Sequence, residues 1–294
     1  MALLDEVRLT CAEVAARARS VAIDLERLEA LELASEALPE PQLDPERHYL
    51  EGTREDVAAF LLCLDSINFG SGWFPTLHKR PGCSGYFTVA SALTEHWRSQ
   101  GPWSPEELRA LGGADVARVL GQEDRHELMV LYGRALNDLG AFLGERSALE
   151  AIEGAAGSAE RLATQLAGGM PFFDDPGFFK RAQIVPNDLA LAGVAEFSDL
   201  DGLTIFADNL VPHVLRLDGV LRYEPSLAAR IDAGKLLEPG SEEREIRACA
   251  LHACELIAGQ LKVAPRVVDA WLWNRGQDRH HKSVPRHRTR TVWY

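Results

Sequence analysis

The chain has 294 residues, of which 31 are basic and 44 acidic, so its formal net charge at pH 7 is −13. This charge opposes a binding mode built on many phosphate contacts, and we therefore expect no nucleic-acid partner. A hydrophobic fraction of 46% in a chain of this length predicts a single globular unit over residues 1–294, or helical lobes at 1–168 and 169–294.

The sequence predicts a cytoplasmic protein. Its first residues lack the basic and apolar regions of a signal peptide, and no stretch reaches the roughly 18 apolar residues of a membrane span. Five cysteines without paired spacing are typical of reduced thiols. Cys249, His252 and Cys254 lie on different faces of a predicted helix with no fourth ligand nearby, so we expect no metal. We likewise expect no cofactor, no membrane association and no obligate protein partner.

Hydrophobic periodicity predicts a mainly α-helical protein. Apolar residues at helical spacing predict one long helix, or two, over residues 1–37. Thr53 precedes a second predicted helix that continues to Leu64. Ser104 begins another, with the glutamate three residues later that is typical of a capping box. The glycine-punctuated helical pattern of residues 86–168 is typical of a scaffold.

The segment LDSINFGSGWFP, residues 64–75, is the first candidate site. It contains, within nine residues, Asp65, Asn68, Phe69 and Trp73. Its glycines allow the chain to turn sharply around a ligand. The aromatic rings suit a flat base, and the carboxylate and amide suit hydrogen bonds to a base edge. The alternative is a hydrophobic loop with a capping asparagine, and the pattern alone leaves both open.

The segment 178–223 contains the central candidate residue. One apolar helix ends near Gly193, and a second starts at Asp208 or Asn209, because Pro212 is tolerated only in the first turn of a helix. Asp208 then lies beside the positive end of that helix, which favours its ionised form. Such a carboxylate suits a reaction in which positive charge develops on a bound sugar. The alternative is a plain N-cap, for which aspartate is among the commonest residues.

Two further polar residues of this region are candidates for binding a ligand. Lys180 is a candidate for a phosphate, and the alternative is a solvated surface lysine. Asp199 is a candidate for hydrogen bonding to a base, and the alternative is that it caps a helix starting at residue 200.

The last residues, 275–294, concentrate positive charge, with six Lys or Arg residues and one Asp. A basic tail is often disordered, but the apolar residues interleaved here predict a packed tail that lines a pocket. Arginine and histidine in such a tail suit a phosphate, arginine through its bidentate fork. The candidate ligand residues of this region are His287, Arg288, Arg290 and Tyr294, together with Trp273 on the predicted helix just before it.

Six blocks of the chain are unusual in sequence: LDSINFG, FFKRAQI, TIFADNLVPHVL, LDGVLRY, WLWNRG and VPRHRTRTVWY. They resemble the queuosine salvage family, the queuosine 5'-phosphate N-glycosidases, from about residue 64 to Tyr294. The resemblance implies hydrolysis of queuosine 5'-monophosphate to free queuine, a 7-deazaguanine base, and ribose 5-phosphate, in the salvage of queuine for tRNA modification. It also implies a base pocket at Asp65 and Asn68 and a catalytic role for Asp208.

The succession of a helix, a turn and an aspartate that begins the next helix also resembles the core of base-excision DNA glycosylases. We therefore predict a mainly α-helical globular protein with a helix-hairpin-helix core of that kind. Two alternative functions stay open. One is a DNA base-excision glycosylase, which the net charge of −13 opposes. The other is a non-catalytic nucleotide-binding helical protein in which Asp208 only caps a helix.

Overall fold

A computed structural model describes residues 1–29 and 38–294 of the chain. The described part contains fifteen α-helices and one two-stranded sheet, so the prediction of a mainly α-helical protein is confirmed. In chain order the elements are α1 (Leu3–Arg17), β1 (Val21–Ile23), α2 (Leu25–Glu29), α3 (Arg54–Ser66), α4 (Gly85–Gln100), α5 (Pro105–Ala110), α6 (Gly113–Leu120), α7 (Glu127–Leu143), α8 (Ala148–Glu153), α9 (Ala159–Gly169), α10 (Lys180–Leu191), α11 (Val211–Leu217), β2 (Leu221–Tyr223), α12 (Pro225–Asp232), α13 (Ser241–Leu261), α14 (Pro265–Arg275) and α15 (Arg279–Ser283).

These elements cluster into two compact units, each made of three chain segments. Unit 1 comprises Met1–Pro41, Pro176–Lys180 and Asp201–Thr291, and unit 2 comprises Gln42–Asp175, Arg181–Leu200 and Val292–Tyr294. Both units take segments from either side of residue 168, and the number of domains stays a prediction.

The long helix α13 is the centre of unit 1. Helices α1, α11 and α14 and strand β1 all pack against it. Its first turn contains Glu242 and Glu243, whose negative charge complements the positive end of the helix dipole. From Ile246 onward its buried residues join the apolar core that also contains Val7 of α1 and Val214 of α11. The N-terminal helix and residues beyond 200 therefore share one core.

The start of the chain differs from the predicted long helix, or two helices, over residues 1–37. Helix α1 ends at Arg17, and strand β1 follows because Val21–Ile23 pairs antiparallel with Leu221–Tyr223. A strand of three residues is too short for a two-residue periodicity to be seen in the sequence. The rest of the predicted region, residues 30–37, lies outside the described residues.

Unit 2 is arranged around helix α7, against which α3, α5 and α6 pack. The approach of α5 depends on Gly140, where an added Cβ would lie 2.7 Å from the oxygen of Pro105 and 2.8 Å from the nitrogen of Arg109. Any side chain at residue 140 would therefore push α5 away from α7. The capping box predicted at Ser104 is present, and the predicted helix after Thr53 begins with a capping box as well.

Helix α10 begins at Lys180, within the FFKRAQI block, and is almost entirely buried. It ends before Gly193, whose φ of +67° matches the predicted role of this glycine at the end of the helix. The buried residues include Gln183, Asn187 and Asp188. Buried polar side chains require hydrogen-bonding partners. A helix that buries so many of them differs from one that serves only as scaffold.

Arg181, in the second position of α10, connects three parts of unit 2. Its side chain is 1% exposed, and its guanidinium donates hydrogen bonds to the backbone oxygens of Ser66 at 2.5 Å, Val292 at 2.8 Å, and Phe172. The guanidinium also lies 4.6 Å from the centre of the Phe69 ring. Burial lowers the pKa of Arg181 to about 9, so the side chain remains charged at neutral pH.

Asp199 caps a helix, but the helix is not the one suggested by the sequence. Its carboxylate accepts hydrogen bonds from the hydroxyl of Ser158 at 2.7 Å and from the backbone N–H groups of Ala159 at 2.6 Å and Glu160 at 3.3 Å, at the start of α9. Burial raises the pKa of Asp199, but these hydrogen bonds outweigh it, and the pKa lies below its usual value. Residues Leu200–Gly202 form a single 3-10 turn.

The predicted helix-hairpin-helix core is not confirmed. Helices α10 and α11 are separated by the long segment 192–210, which contains the 3-10 turn Leu200–Gly202. Among the residues that the structure describes, no helix combines the length and the apolar composition needed to cross a membrane.

We expect Arg181→Met to lower the free energy of unfolding by about 3 kcal/mol, because it leaves buried carbonyl groups without donors. Urea unfolding at pH 7 measures the change. Arg161→Met is the matched control, since it replaces an exposed arginine of α9 in the same unit and should change stability by less than about 0.5 kcal/mol. Equally small effects of both substitutions would contradict the structural role of Arg181.

We expect Asp199→Ala to lower the free energy of unfolding by about 1 kcal/mol at pH 7, as loss of a helix cap does. The folded-state pKa of Asp199 is depressed, so its contribution is present above the unfolded-state pKa of about 3.9 and is lost as the pH falls through the folded-state pKa. The difference between the two proteins should therefore shrink below about pH 3.9. A difference that is constant from neutral pH to the acid limit of folding would rule out the carboxylate as its source.

Candidate active site

One carboxylate in unit 1 is held at the start of a short helix. Oδ1 of Asp208 accepts hydrogen bonds from the backbone N–H groups of Leu210 at 2.7 Å and Val211 at 3.2 Å. Helix α11 thus starts a little later than predicted, and Pro212 occupies its first turn as predicted. Both bonds go to Oδ1, so Oδ2 takes no part in the cap. The cap therefore fixes the orientation of a half-buried carboxylate.

The segment around Asp208 is held at the residues on both sides of it. The backbone N–H of Phe206 donates to the carboxylate of Asp269 at 2.9 Å, and the side-chain amide of Asn209 donates to the backbone oxygen of His287 at 3.0 Å. Between them, Nε of Arg247 donates to the backbone oxygen of Ala207 at 2.9 Å. Such a set of anchors is what keeps a reacting group in one geometry.

The chain just before Lys180 has an uncommon backbone conformation. Phe179 has a φ of +48°, in the left-handed region that residues other than glycine rarely adopt. A residue held there costs on the order of 1–3 kcal/mol and persists only where its surroundings hold it. Lys180 follows and is 6% exposed, which is not the exposure of a solvated surface lysine. The strained residue therefore leads directly into a buried ammonium group.

His287 lies in a positively charged part of unit 1. Its imidazole is 1% exposed, and burial lowers its pKa to about 3, so the ring is neutral at pH 7. Three arginines contribute positive charge to this shift: Arg247, Arg286 and Arg216. His213 is also close, but burial lowers its pKa to about 4, so it is neutral at pH 7. In a chain with a net charge of −13, this local positive charge favours an anion.

Arg286 was not among the predicted site residues, although it belongs to the basic tail that the sequence singles out. Burial lowers its pKa, and the negative charge of Asp208 opposes that change. The two charges are therefore close enough to interact. The alternate spacing of arginines at 286, 288 and 290 could have indicated Arg286, but only the last two were predicted as ligands.

The other predicted residues of this region differ in exposure. Arg288 is half-buried, and its Nη2 donates a hydrogen bond to the backbone oxygen of Gly234 at 2.7 Å. Arg290 is exposed, while Thr289 between them is fully buried. Trp273 lies half-buried on α14. The tail is thus packed, with side chains that alternate between the interior and the solvent, and its lining of a pocket stays a prediction.

In unit 2, Asp65 lies fully buried in the last turn of α3. Asn68 follows the helix and is half-buried. Burial raises the pKa of Tyr86 well above its usual value, and the charges of Asp188 and Asp65 raise it further. Tyr86 and Asp188 are therefore close to the predicted base-reading carboxylate. Neither was among the predicted site residues, although Asp188 lies in the same helix as Lys180.

The two aromatic residues predicted to stack on a base are packed inside unit 2. The ring of Phe69 makes edge-on contacts with Tyr132 at 5.0 Å and Phe172 at 5.8 Å between ring centres. Trp73 is also buried, and its Nε1 donates to the carboxylate of Glu127 at 2.7 Å. These contacts hold the loop after α3 in shape, and stacking on a base stays a prediction.

Tyr294 is hydrogen-bonded to the loop that follows α3. Its side chain is buried, and its backbone oxygen accepts hydrogen bonds from the N–H groups of Gly70 at 2.9 Å and Ser71 at 3.4 Å. The bond from Arg181 to Val292 holds the chain two residues earlier. The last three residues therefore belong to unit 2.

The predicted site residues are distributed over both units. Unit 1 contains Lys180, Asp208, Trp273, His287, Arg288 and Arg290, and unit 2 contains Asp65, Asn68, Phe69, Trp73, Asp199 and Tyr294. Within residues 1–29 and 38–294, no group of three or more His, Cys, Asp or Glu side chains is arranged to hold a metal ion.

Comparison with known proteins identifies a family. Residues 47–294 match the profile of the family described as "Queuosine salvage protein". A protein of Sphaerobacter thermophilus named queuosine 5'-phosphate N-glycosylase/hydrolase is 32% identical over 315 residues, covering 98% of this chain and 97% of the relative. A protein of the same name from Bos taurus is 27% identical over 96% of this chain and 96% of the relative. The protein of that name from Mus musculus is 27% identical over 83% of this chain and 83% of the relative.

Proposed function

The chain belongs to the queuosine salvage protein family, as its sequence blocks predicted, and from that premise we propose that it hydrolyses the N-glycosidic bond of queuosine 5'-monophosphate. The products are free queuine and ribose 5-phosphate. The observation that carries the proposal is the half-buried carboxylate of Asp208, fixed at the start of α11 with both neighbouring residues anchored.

Asp208 has two tasks in this reaction. As the bond between the ribose C1' and the base nitrogen breaks, its electron pair leaves with the base, and positive charge develops on the sugar. A carboxylate held beside that charge stabilises it more than water would, because it is already oriented. The carboxylate also orients a water molecule and takes its proton as the water oxygen bonds to C1'.

The leaving base needs stabilisation of its own. A 7-deazapurine has carbon where ordinary purines have N7, so it cannot be protonated at that position as it leaves. Hydrogen bonds to its edge therefore contribute to the rate. The proton released by the attacking water balances the one that the free base carries on its departing nitrogen. Roles in base recognition for Asp65, Asn68, Phe69, Trp73, Asp199, Trp273 and Tyr294 stay predictions.

We assign the 5'-phosphate to the basic part of unit 1. Lys180 of the same unit offers a buried ammonium group, and the arginine neighbours of His287 supply positive charge. His287 itself is neutral and would contribute an N–H donor rather than a charge. We favour Lys180 over Arg290 as the phosphate ligand, because Lys180 is buried and Arg290 is exposed to solvent.

The two alternative functions are less well supported. The relatives are named for a nucleotide substrate rather than a DNA duplex, and the net charge of −13 opposes duplex binding. A protein that only binds nucleotides would not need a carboxylate anchored on both sides.

We expect Asp208→Asn to lower kcat by about a hundredfold to a thousandfold, because it removes the charge opposite the developing cation. The melting temperature should change little, since asparagine is also a good helix cap. Single-turnover release of queuine, with thermal melting, measures both. Asp201→Asn is the matched control, because that carboxylate is exposed and pairs with Arg266. Unchanged turnover in folded Asp208→Asn would disprove the catalytic role.

We expect kcat/KM to be at least about a hundredfold higher for queuosine 5'-monophosphate than for queuosine, because charged hydrogen bonds contribute roughly 1.5–3 kcal/mol each. Lys180→Met should reduce kcat/KM for the monophosphate and leave the nucleoside nearly unaffected. Lys235→Met, at an exposed lysine of the same unit, should change neither. If Lys180→Met slows both substrates equally, Lys180 does not bind the phosphate.

A further inference from the structure

Arg247 is a buried arginine in the middle of helix α13. Its side chain is 1% exposed, and the contacts that hold it include a hydrogen bond, a ring contact and an ion pair. Nε donates to the backbone oxygen of Ala207 at 2.9 Å, the guanidinium carbon lies 3.9 Å from the centre of the Phe178 ring, and Nη1 lies 3.6 Å from the carboxylate of Glu243, one helical turn earlier. The pair with Glu243 offsets the cost of burying the charge.

The first two of these contacts reach the two parts of unit 1 that matter for the proposed reaction. Ala207 immediately precedes Asp208, so the hydrogen bond holds the peptide from which the carboxylate extends. Phe178 lies two residues before Lys180, on the other side of the strained Phe179. One guanidinium therefore connects the segment of the carboxylate with the segment of the buried lysine.

We propose that Arg247 is a positioning residue, which holds Asp208 and Lys180 in the spacing that the reaction needs without itself touching the reacting atoms. This inference rests on the proposed function. Arg247 acts through the carbonyl of Ala207 and the ring of Phe178. A displacement of a reacting group by about 1 Å is enough to reduce a rate about a hundredfold.

The proposal requires an arginine rather than any positive charge. A guanidinium is planar, so it donates from its edge to a carbonyl while its face lies on an aromatic ring. The ammonium group of lysine keeps the charge but has neither a flat face nor a donor at the position of Nε. Arg247→Lys therefore preserves the charge and removes the geometry.

Arg244 provides a matched control on the same helix. It lies over the same ring, with its guanidinium carbon 5.9 Å from the centre of Phe178, and is half-buried. The carbonyl of Ala207, however, receives its hydrogen bond from Arg247. Arg244→Lys makes the same chemical change one turn away, at a residue that does not hold the segment of Asp208.

The experiment measures kcat and KM for queuosine 5'-monophosphate under single-turnover and steady-state conditions, with thermal melting of each variant. We expect Arg247→Lys to lower kcat about a hundredfold with less than about a threefold change in KM, and Arg244→Lys to leave both nearly unchanged. In the Asp208→Asn background, Arg247→Lys should cost no more than a few fold further, because it acts through the carboxylate that is already lost.

Each contrary result has a distinct meaning. A wild-type kcat in Arg247→Lys overturns the inference, and so does an equal loss in the presence and absence of the Asp208 carboxylate. Full turnover in Asp208→Asn alone overturns the catalytic role of Asp208, whereas no release of queuine by the unsubstituted protein overturns the proposed function. If Arg247→Lys does not fold, Phe178→Leu replaces it, since it removes the ring and keeps the bond to Ala207. We expect about a tenfold loss of kcat in that variant, and a wild-type kcat overturns the inference.

Discussion

The first backbone N–H groups of a helix have no partners within the helix, and in unit 1 this constraint at the start of α11 determines how the candidate active site is built. Asp208 satisfies two of these groups through one oxygen, which fixes the orientation of its carboxylate at the start of the helix. Residues 203–208 belong to no helix or strand, so the backbone groups around Asp208 need partners from other parts of the chain. Helix α14 supplies Asp269, helix α13 supplies Arg247, and the tail supplies the backbone oxygen of His287.

The features that could be predicted from the sequence are those whose physical cause lies within a few residues. The capping boxes at Thr53 and Ser104 join groups three residues apart, and Gly193 ends α10 by adopting a positive φ. The cap formed by Asp208 is equally local, because Pro212 limits where the helix starts. The family resemblance depends on whole blocks of sequence, and for that reason it predicts the activity. Local rules for helix starts and turns do not.

The features that were missed depend on partners far away in the chain. Arg181 and Arg247 look like surface arginines in the sequence, since the groups that satisfy them are mostly backbone carbonyls, which leave no trace in the pattern of side chains. Asp199 caps a helix that begins forty residues earlier, as its bond to Ala159 shows, rather than the turn next to it. Strand β1 exists only because residues near 222 pair with it. Burial of Phe69 likewise follows from Tyr132 and Phe172, which sequence spacing does not bring near it.

The way the chain passes between the two units has a consequence for how the protein folds and how it can be divided. Arg8 in α1 bonds to Glu255 in α13, 247 residues away, and Arg181 bonds to Val292, 111 residues away. Forming such distant contacts is slow compared with helix formation. Helices near the N-terminus therefore keep their apolar faces exposed until the C-terminal segments have been synthesised. A contiguous fragment that ends before residue 201 would contain α1 without the helix that buries it. We therefore expect neither unit to be obtained as a stable protein by cutting the chain once. Only a chain that joins all three segments of a unit would keep its core intact.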